Sequence, residues 1–267
     1  MSPRIILIET STSLCSTALL EGDRITAVRK STEPRAHAAL TAPFVKEILN
    51  ERGLKVSDCD AVCLSMGPGS YTGLRVGSST AKGLCFGGGI PLLAVGTLDV
   101  LAAQAIEAGL PEGCKWIVPM IDARRMEVYT ALYSAAGERL TDVSPQIVDD
   151  SFFNNITVTS GDSVSQNVAA RPLPLRGPLP LTEPRVATVL GDRASAGDGI
   201  FFIGDGVKKC EEVLGGEGRI FRQECPTAEA MKKPALAELQ AGHFRDIAYF
   251  EPFYLKDFVA TVGKKLF

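Results

Sequence analysis

Residues 4–10 read RIILIET and residues 116–122 read WIVPMID, and the fold turns on these two stretches. Each is a short apolar run, rich in β-branched residues, that runs up to an acidic residue, Glu9 in the first and Asp122 in the second, the pattern of a buried strand. Around the first, Cys15 to Leu20 reads as a second strand and Arg24 to Arg29 as a third, joined by a Glu21-Gly22-Asp23 turn. The plan then alternates: a helix over about 36–52, a strand over 60–66, a helix over about 72–86. Three antiparallel strands followed by alternating helix and strand suit a mixed sheet with helices on its faces. Around the second stretch the plan starts again. Trp116 to Ile121 reads as a strand, Met126 to Tyr133 as its partner and Glu138 to Thr141 as a third. A constant offset carries Ile8 onto Ile121, Glu9 onto Asp122 and Thr17-Ala18-Leu19 onto Thr130-Ala131-Leu132, which points to an internal duplication.

Beyond residue 150 the copies part. Residues 160–199 hold Pro172, Pro174, Pro178, Pro180 and Pro184, a density that blocks helix and inner strand, so this stretch is expected to be a loop or insertion. Order is expected to resume with a strand at Gly199 to Ile203, a Gly204-Asp205-Gly206 turn and a helix at Val207 to Leu214. The first lobe would span residues 1–98 and the second 99–267.

Composition narrows the class. With 45% hydrophobic and 22% charged residues, the 267-residue chain can bury a substantial core. The only apolar run near the start, Ile5 to Ile8, is too short for a secretory leader or a membrane span. Seven cysteines without a C-x-x-C pair argue for a reducing compartment, and Cys59 and Cys63 read as small buried hydrophobes. A net charge of −3 offers no general attraction for nucleic acid, so any work on RNA would rely on another subunit's grip. The tail lysines Lys256, Lys264 and Lys265 read as plain surface charge.

The most informative stretch is GPGSYTGLRVG, residues 67–77. It follows a strand and opens a helix, where Ser70 or Thr72 can cap and backbone N–H groups favour anions. It lacks the Gly-Lys-Ser/Thr ending of a phosphate-binding P-loop and the spacing of a nucleophile elbow. Gly73, Gly77 and Ala81 recur every four residues, a stripe that suits close approach of a partner helix or packing on the chain's own sheet. Arg75 stands in the first turn, where the helix dipole disfavours a cation, which suggests that it meets an acidic partner. In the preceding helix Leu40, Phe44 and Ile48 form one row that Val45 and Leu49 widen. Pro43 either starts that helix near Ala42 or kinks it. His37 opens it as an interface or capping residue.

Taken together, GPGSYTGLRVG, the opening IILIETSTSLCSTALL, the second hairpin IDARRMEVY (121–129), FIGDG (202–206) and EPFYLK (251–256) resemble the TsaB (YeaZ) family. The resemblance covers most of the chain. It implies an α/β, actin-like (ribonuclease H-like) duplicated fold, two lobes with mixed sheets flanked by helices. It also implies a scaffold subunit for tRNA threonylcarbamoyladenosine formation in the cytoplasm, paired with a TsaD-like transferase paralogue through the two first-lobe helices. A TsaE-like ATPase would dock on the pair and tRNA would be met through the complex. The isolated chain could pair with itself by the same face. The partner-contact residues would then be His37, Leu40, Phe44, Ile48, Gly73, Leu74, Arg75, Gly77 and Ala81. Two departures from the family pattern stand out: Glu9 where Asp is usual, and the proline-rich stretch.

The competing reading is an ATP-dependent kinase or ATPase of the same fold. Its nucleotide contacts would be Glu9, Thr10 and Ser11 in a first phosphate turn and Gly204, Asp205 and Gly206 in a nucleoside turn. The second hairpin, Asp122 to Met126, has no glycine for close phosphate approach. No tightly bound cofactor or metal is therefore expected, with ATP or ADP entering only in an assembled complex. A zinc protease is excluded by the histidines, because His37 and His243 form no paired ligand motif.

Overall fold

The computed structural model describes residues 2–155, 157–159, 187–189 and 199–255. The first half holds β1 (Arg4–Glu9), β2 (Cys15–Glu21), β3 (Arg24–Ser31), α1 (His37–Glu51), β4 (Ala61–Ser65), α2 (Tyr71–Gly88), β5 (Leu92–Val95) and α3 (Thr97–Glu107). The second holds β6 (Cys114–Asp122), β7 (Glu127–Thr130), β8 (Tyr133–Ser134), β9 (Ser144–Ile147), α4 (Phe152–Asn155), β10 (Thr157–Thr159) and β11 (Ala187–Val189). It continues with β12 (Gly199–Gly204), α5 (Glu211–Leu214), β13 (Arg219–Gln223) and α6 (Lys232–Ala241).

The first sheet runs β3-β2-β1-β4-β5, and the second runs β9-β7-β6-β12-β13 with β8 pairing β6. In both, the first three strands are antiparallel and the last two parallel to the central one. The duplication read from the sequence is therefore a duplication of topology. The register differs slightly: Ile8 pairs with Thr17, whereas Thr130 pairs with Met120 rather than Ile121, because the second turn is one residue shorter.

The central strands are continuous apolar runs because helices cover both faces of each sheet. Ile6 and Ile8 pack with Val45 and Ile48 of α1 and Ala81 and Cys85 of α2, while Ile5 and Leu7 face Ala228, Met231 and Ala235. The helices that follow the sheets change partners. Leu98, Leu101 and Ala105 of α3 pack on Ile117, Ile121, Phe201 and Ile203 of the second sheet, and Ala235 of α6 packs on the first. This exchange ties the halves together.

Several expectations need correction. Strand β5 and helix α3 went unread between residues 87 and 113. The run from Met126 to Tyr133 is two strands, and Glu138 to Thr141 is not the third. That segment turns back on its neighbour, with Leu140 N–H donating to the Leu132 carbonyl and Leu132 N–H to Thr141 Oγ1, and β9 takes the place beside β7. The helix expected over 207–214 shrinks to Glu211–Leu214. Within the stretch expected to be a loop, the proline-free Ala187–Val189 forms a strand against Thr157–Thr159. The five prolines named there, and the tail lysines, lie outside the described residues. His243 is half-buried, with Nδ1 3.4 Å from the Glu238 carboxylate. Helix α1 starts at His37 and runs through Pro43.

Candidate functional site: the α1/α2 face and the inter-lobe cleft

The signature loop is held to the first turn of the chain. Ser70 N–H donates to the Ser11 carbonyl at 2.6 Å, and the Ser70 hydroxyl caps α2 by accepting Gly73 N–H. Thr10 Oγ1 donates to the Gly73 carbonyl at 2.9 Å. A Cβ on Gly69 would collide with Ser11, one on Gly73 with the Thr10 carbonyl and one on Gly77 with Thr10 Oγ1. These glycines let α2 lie directly on the turn after β1.

That geometry corrects the expected contact surface. Gly73, Leu74, Gly77 and Ala81 are buried and face the chain's own core, so they cannot meet a partner. Ile48 is likewise fully buried beneath α1. Leu40 and Phe44 are half-buried and continue the helical row of Glu47 and Glu51, whose carboxylates bind Arg29 of β3, so this row faces β3 and not α2. His37 is half-buried, with Nε2 unpartnered. Of the nine residues, Arg75 is the one fully on the outward side.

The outward side of α2 has features the sequence reading passed over. A shallow groove of about 480 Å³ lies between the helices, lined by Ala38 of α1 and Tyr71, Thr72, Arg75, Val76, Ser79 and Thr80 of α2. Further along, Ser79, Gly83 and Gly87 form a second row at four-residue spacing. No described residue lies within 4 Å of a Cβ placed on Gly83 or Gly87, and Phe86 beside them is 85% exposed. Glycine in a helix interior costs about 1 kcal/mol against alanine, and packing against the described residues does not account for either one. The spacing is the same as in the inward row. The signal that separates them is the apolar company of the inward row, Leu74 and Cys85.

Of the residues considered for nucleotide binding, Glu9 and Asp205, each at the end of a central strand, come near enough for their charges to act on each other, whereas Thr10 is turned to Gly73 of α2. Glu9 is fully buried and its carboxylate accepts Ser11 N–H at 2.6 Å, leaving Oε2 unpartnered. Burial pushes its pKa up, and the negative charge of Asp205 adds to the effect. Asp205 accepts Asp122 N–H at 3.0 Å, and burial raises its pKa to about 6. Gly204, at φ 140°, would drive a Cβ into the Met120 carbonyl, and Gly206 sits against Asp122 N. Lys209, not foreseen, donates to the carbonyls of Arg125 and Glu127 at 2.7 and 2.6 Å and pairs with Asp122.

Two copies of a 3-2-1-4-5 mixed sheet, helices exchanged between them and a cleft lined by the strand ends define the class: a duplicated actin-like fold. A family model described as "TsaD: tRNA N6-adenosine threonylcarbamoyltransferase" matches residues 31–262, and the chain belongs to that family, as one of its TsaB/YeaZ-type members. A relative from Haemophilus influenzae, named tRNA threonylcarbamoyladenosine biosynthesis protein TsaB, is 38% identical over 47% of this chain and 51% of its own length. The protein of the same name from Escherichia coli is 37% identical over 49% and 54%. The chain thus spans about half the length of the curated relatives it matches. The solved structure of YeaZ from Pseudomonas aeruginosa superposes with a TM-score of 0.69 at 25% identity, covering 96% of this chain and all of that one. A second Pseudomonas aeruginosa structure, described as similar to peptidase YeaZ, gives 0.70 at 26% with the same coverage. Among the described residues, no helix is long and apolar enough to cross a membrane.

Proposed function

We propose that the chain serves tRNA threonylcarbamoyladenosine biosynthesis as a non-catalytic, partner-holding subunit in the cytoplasm, docking a TsaD-like paralogue on the outward face of α1 and α2. The names of its relatives support the process. The observation that carries the docking is the open row Ser79, Gly83 and Gly87 beside the 85% exposed Phe86. Small residues let a second helix come close, and an exposed aromatic supplies an anchor. An occupant built on the same duplicated fold has an equivalent helix pair to offer, which would complete a four-helix contact. In the absence of that partner the same face would pair two copies of this chain. A TsaE-like ATPase would join the assembled pair, and tRNA would be bound through the complex.

The cleft supports a holding role over an independent kinase or ATPase. A phosphate would need the Ser11 N–H, and the Glu9 carboxylate already accepts it. The second turn is held from within by Lys209, and its left-handed residues are Arg124 and Arg125, not glycines. The residues present do not fit a tightly bound nucleotide, and ATP or ADP is assigned to the assembled complex. The test is co-purification of this chain with its genome's TsaD-like paralogue, using wild type and Gly83→Leu. Loss of co-elution only for Gly83→Leu, with unchanged circular dichroism, is the expected result. ATP turnover by the pure chain, abolished by Glu9→Ala, would favour the kinase reading.

A further inference from the structure

Arg75 stands at the mouth of the groove with its side chain already posed. Its Nη1 donates to the Tyr71 hydroxyl at 3.2 Å, and the guanidinium lies 5.4 Å from the centre of the Tyr71 ring. Tyr71 is braced in turn by Tyr254, their ring centres 4.8 Å apart. Tyr254 arrives from far along the sequence. After α6 the chain runs across the first lobe, with Arg245 N–H donating to the Leu92 carbonyl and Phe253 N–H to the Met66 carbonyl, at 2.8 and 2.7 Å. Residues 245–255 are therefore a strap that ends on the opening of α2.

Glu251 of the strap acts on Tyr254 with its negative charge alongside the positive charge of Arg75, but it makes no ion pair with that guanidinium. Lys82 lies two turns beyond Arg75 on the same flank of α2, and Lys46 is exposed on α1. Among the described residues, none of the three has a carboxylate within ion-pair distance, whereas Glu47 and Glu51 of α1 are both engaged by Arg29. Arg75 is the fifth residue of α2 and reaches back one turn to Tyr71 with Nη1, which leaves its other guanidinium nitrogen free of any described carboxylate. A guanidinium held in place by aromatic neighbours loses little freedom when a carboxylate meets its fork.

Resting on the docking reading above, we infer that Tyr71, Arg75 and Tyr254 form a carboxylate-recognising corner. The partner's helix pair presents an acidic side chain to Arg75, with Lys82 and Lys46 extending the match. Tyr254 acts as a positioning residue, through Tyr71. The chemistry identifies the occupant as an acidic protein face.

The experiment titrates the purified TsaD-like paralogue against the full chain by calorimetry at about 0.05 and 0.5 M salt. Arg75→Glu is expected to weaken binding at least about tenfold, the scale of a well-placed arginine anchor, and to leave the melting temperature unchanged. Wild-type affinity should fall with salt, and that fall should shrink in Arg75→Glu. Tyr254→Ala should weaken binding by several-fold, and Tyr254→Phe should restore it, since bracing needs the ring and not the hydroxyl. Wild-type affinity in Arg75→Glu, together with binding lost in Gly83→Leu, would leave the docking face standing and overturn the acidic match. Binding indifferent to both variants, or no complex with the wild-type chain, would overturn the docking reading and this inference with it.

Discussion

The two lobes share one strand order and differ in almost everything laid over it. In the first, the connections across the sheet are helices of 15 and 18 residues; in the second, the described residues of the corresponding connections hold α4 and α5, of four residues each. The strand ends differ too. Glu9 closes the first turn by binding its own backbone, whereas the second turn is held by the ammonium of Lys209. The difference teaches where a partner can sit. Among the described residues the second lobe shows no long helix beside α5, while α2 of the first commits one side to Thr10 and turns Gly83 and Gly87 to the other.

The sharpest way to break this contrast is Gly77→Leu. If the inward side of α2 is as tightly applied to Thr10 as it looks, overpacking should cost about 3 kcal/mol or more. At roughly 2–4 °C per kcal/mol for a chain of this size, the melting temperature should drop by about 6–12 °C. Calorimetry showing no drop would mean that α2 can lift off the first turn. The next effect belongs to the second lobe. Asp205 has a folded pKa of about 6 against an ordinary 3.8, so the folded state holds its proton more tightly. Its contribution to stability is therefore present at low pH and lost as pH rises through about 4 to 6, after which it is flat. The change amounts to at most about 3 kcal/mol, from 1.36 kcal/mol per pKa unit. Asp205→Asn should remove this fall, which chemical denaturation of both proteins between pH 4 and 8 would read; parallel pH profiles would refute the assignment. The smallest effect sharpens the contrast within α2. Gly83→Ala should stabilise the isolated chain by about 0.5–1 kcal/mol, because no described residue stands where the added methyl would go. Destabilisation by that change would show that the row is already covered.

Much of this was legible in the residues. The unbroken apolar runs at Ile5–Ile8 and Ile117–Ile121 require burial on both faces, and only sheets covered by helices provide it. The acidic strand ends and the repeated hairpin exposed the duplication, and GPGSYTGLRVG exposed the family. Less was legible where local signals conflict. Strand β5 is four residues long, and the second lobe's third strand carries a proline, so neither stands out from the sequence around it.

The candidate surface shows the limit most plainly. Gly73, Gly77 and Ala81 and, beyond them, Ser79, Gly83 and Gly87 have the same spacing, and helical periodicity places each row on a face without saying which face is covered. The sequence alone determined that α2 carries a small-residue row and Arg75 near its start, and that Glu9 and Asp205 stand at strand ends. Tertiary structure decided which row is core, because the turn after β1 reaches it only when β1 and β4 pair. It also decided that residue 254 braces residue 71. Contacts between positions so distant along the chain come from the sheet and the strap and have no local signature.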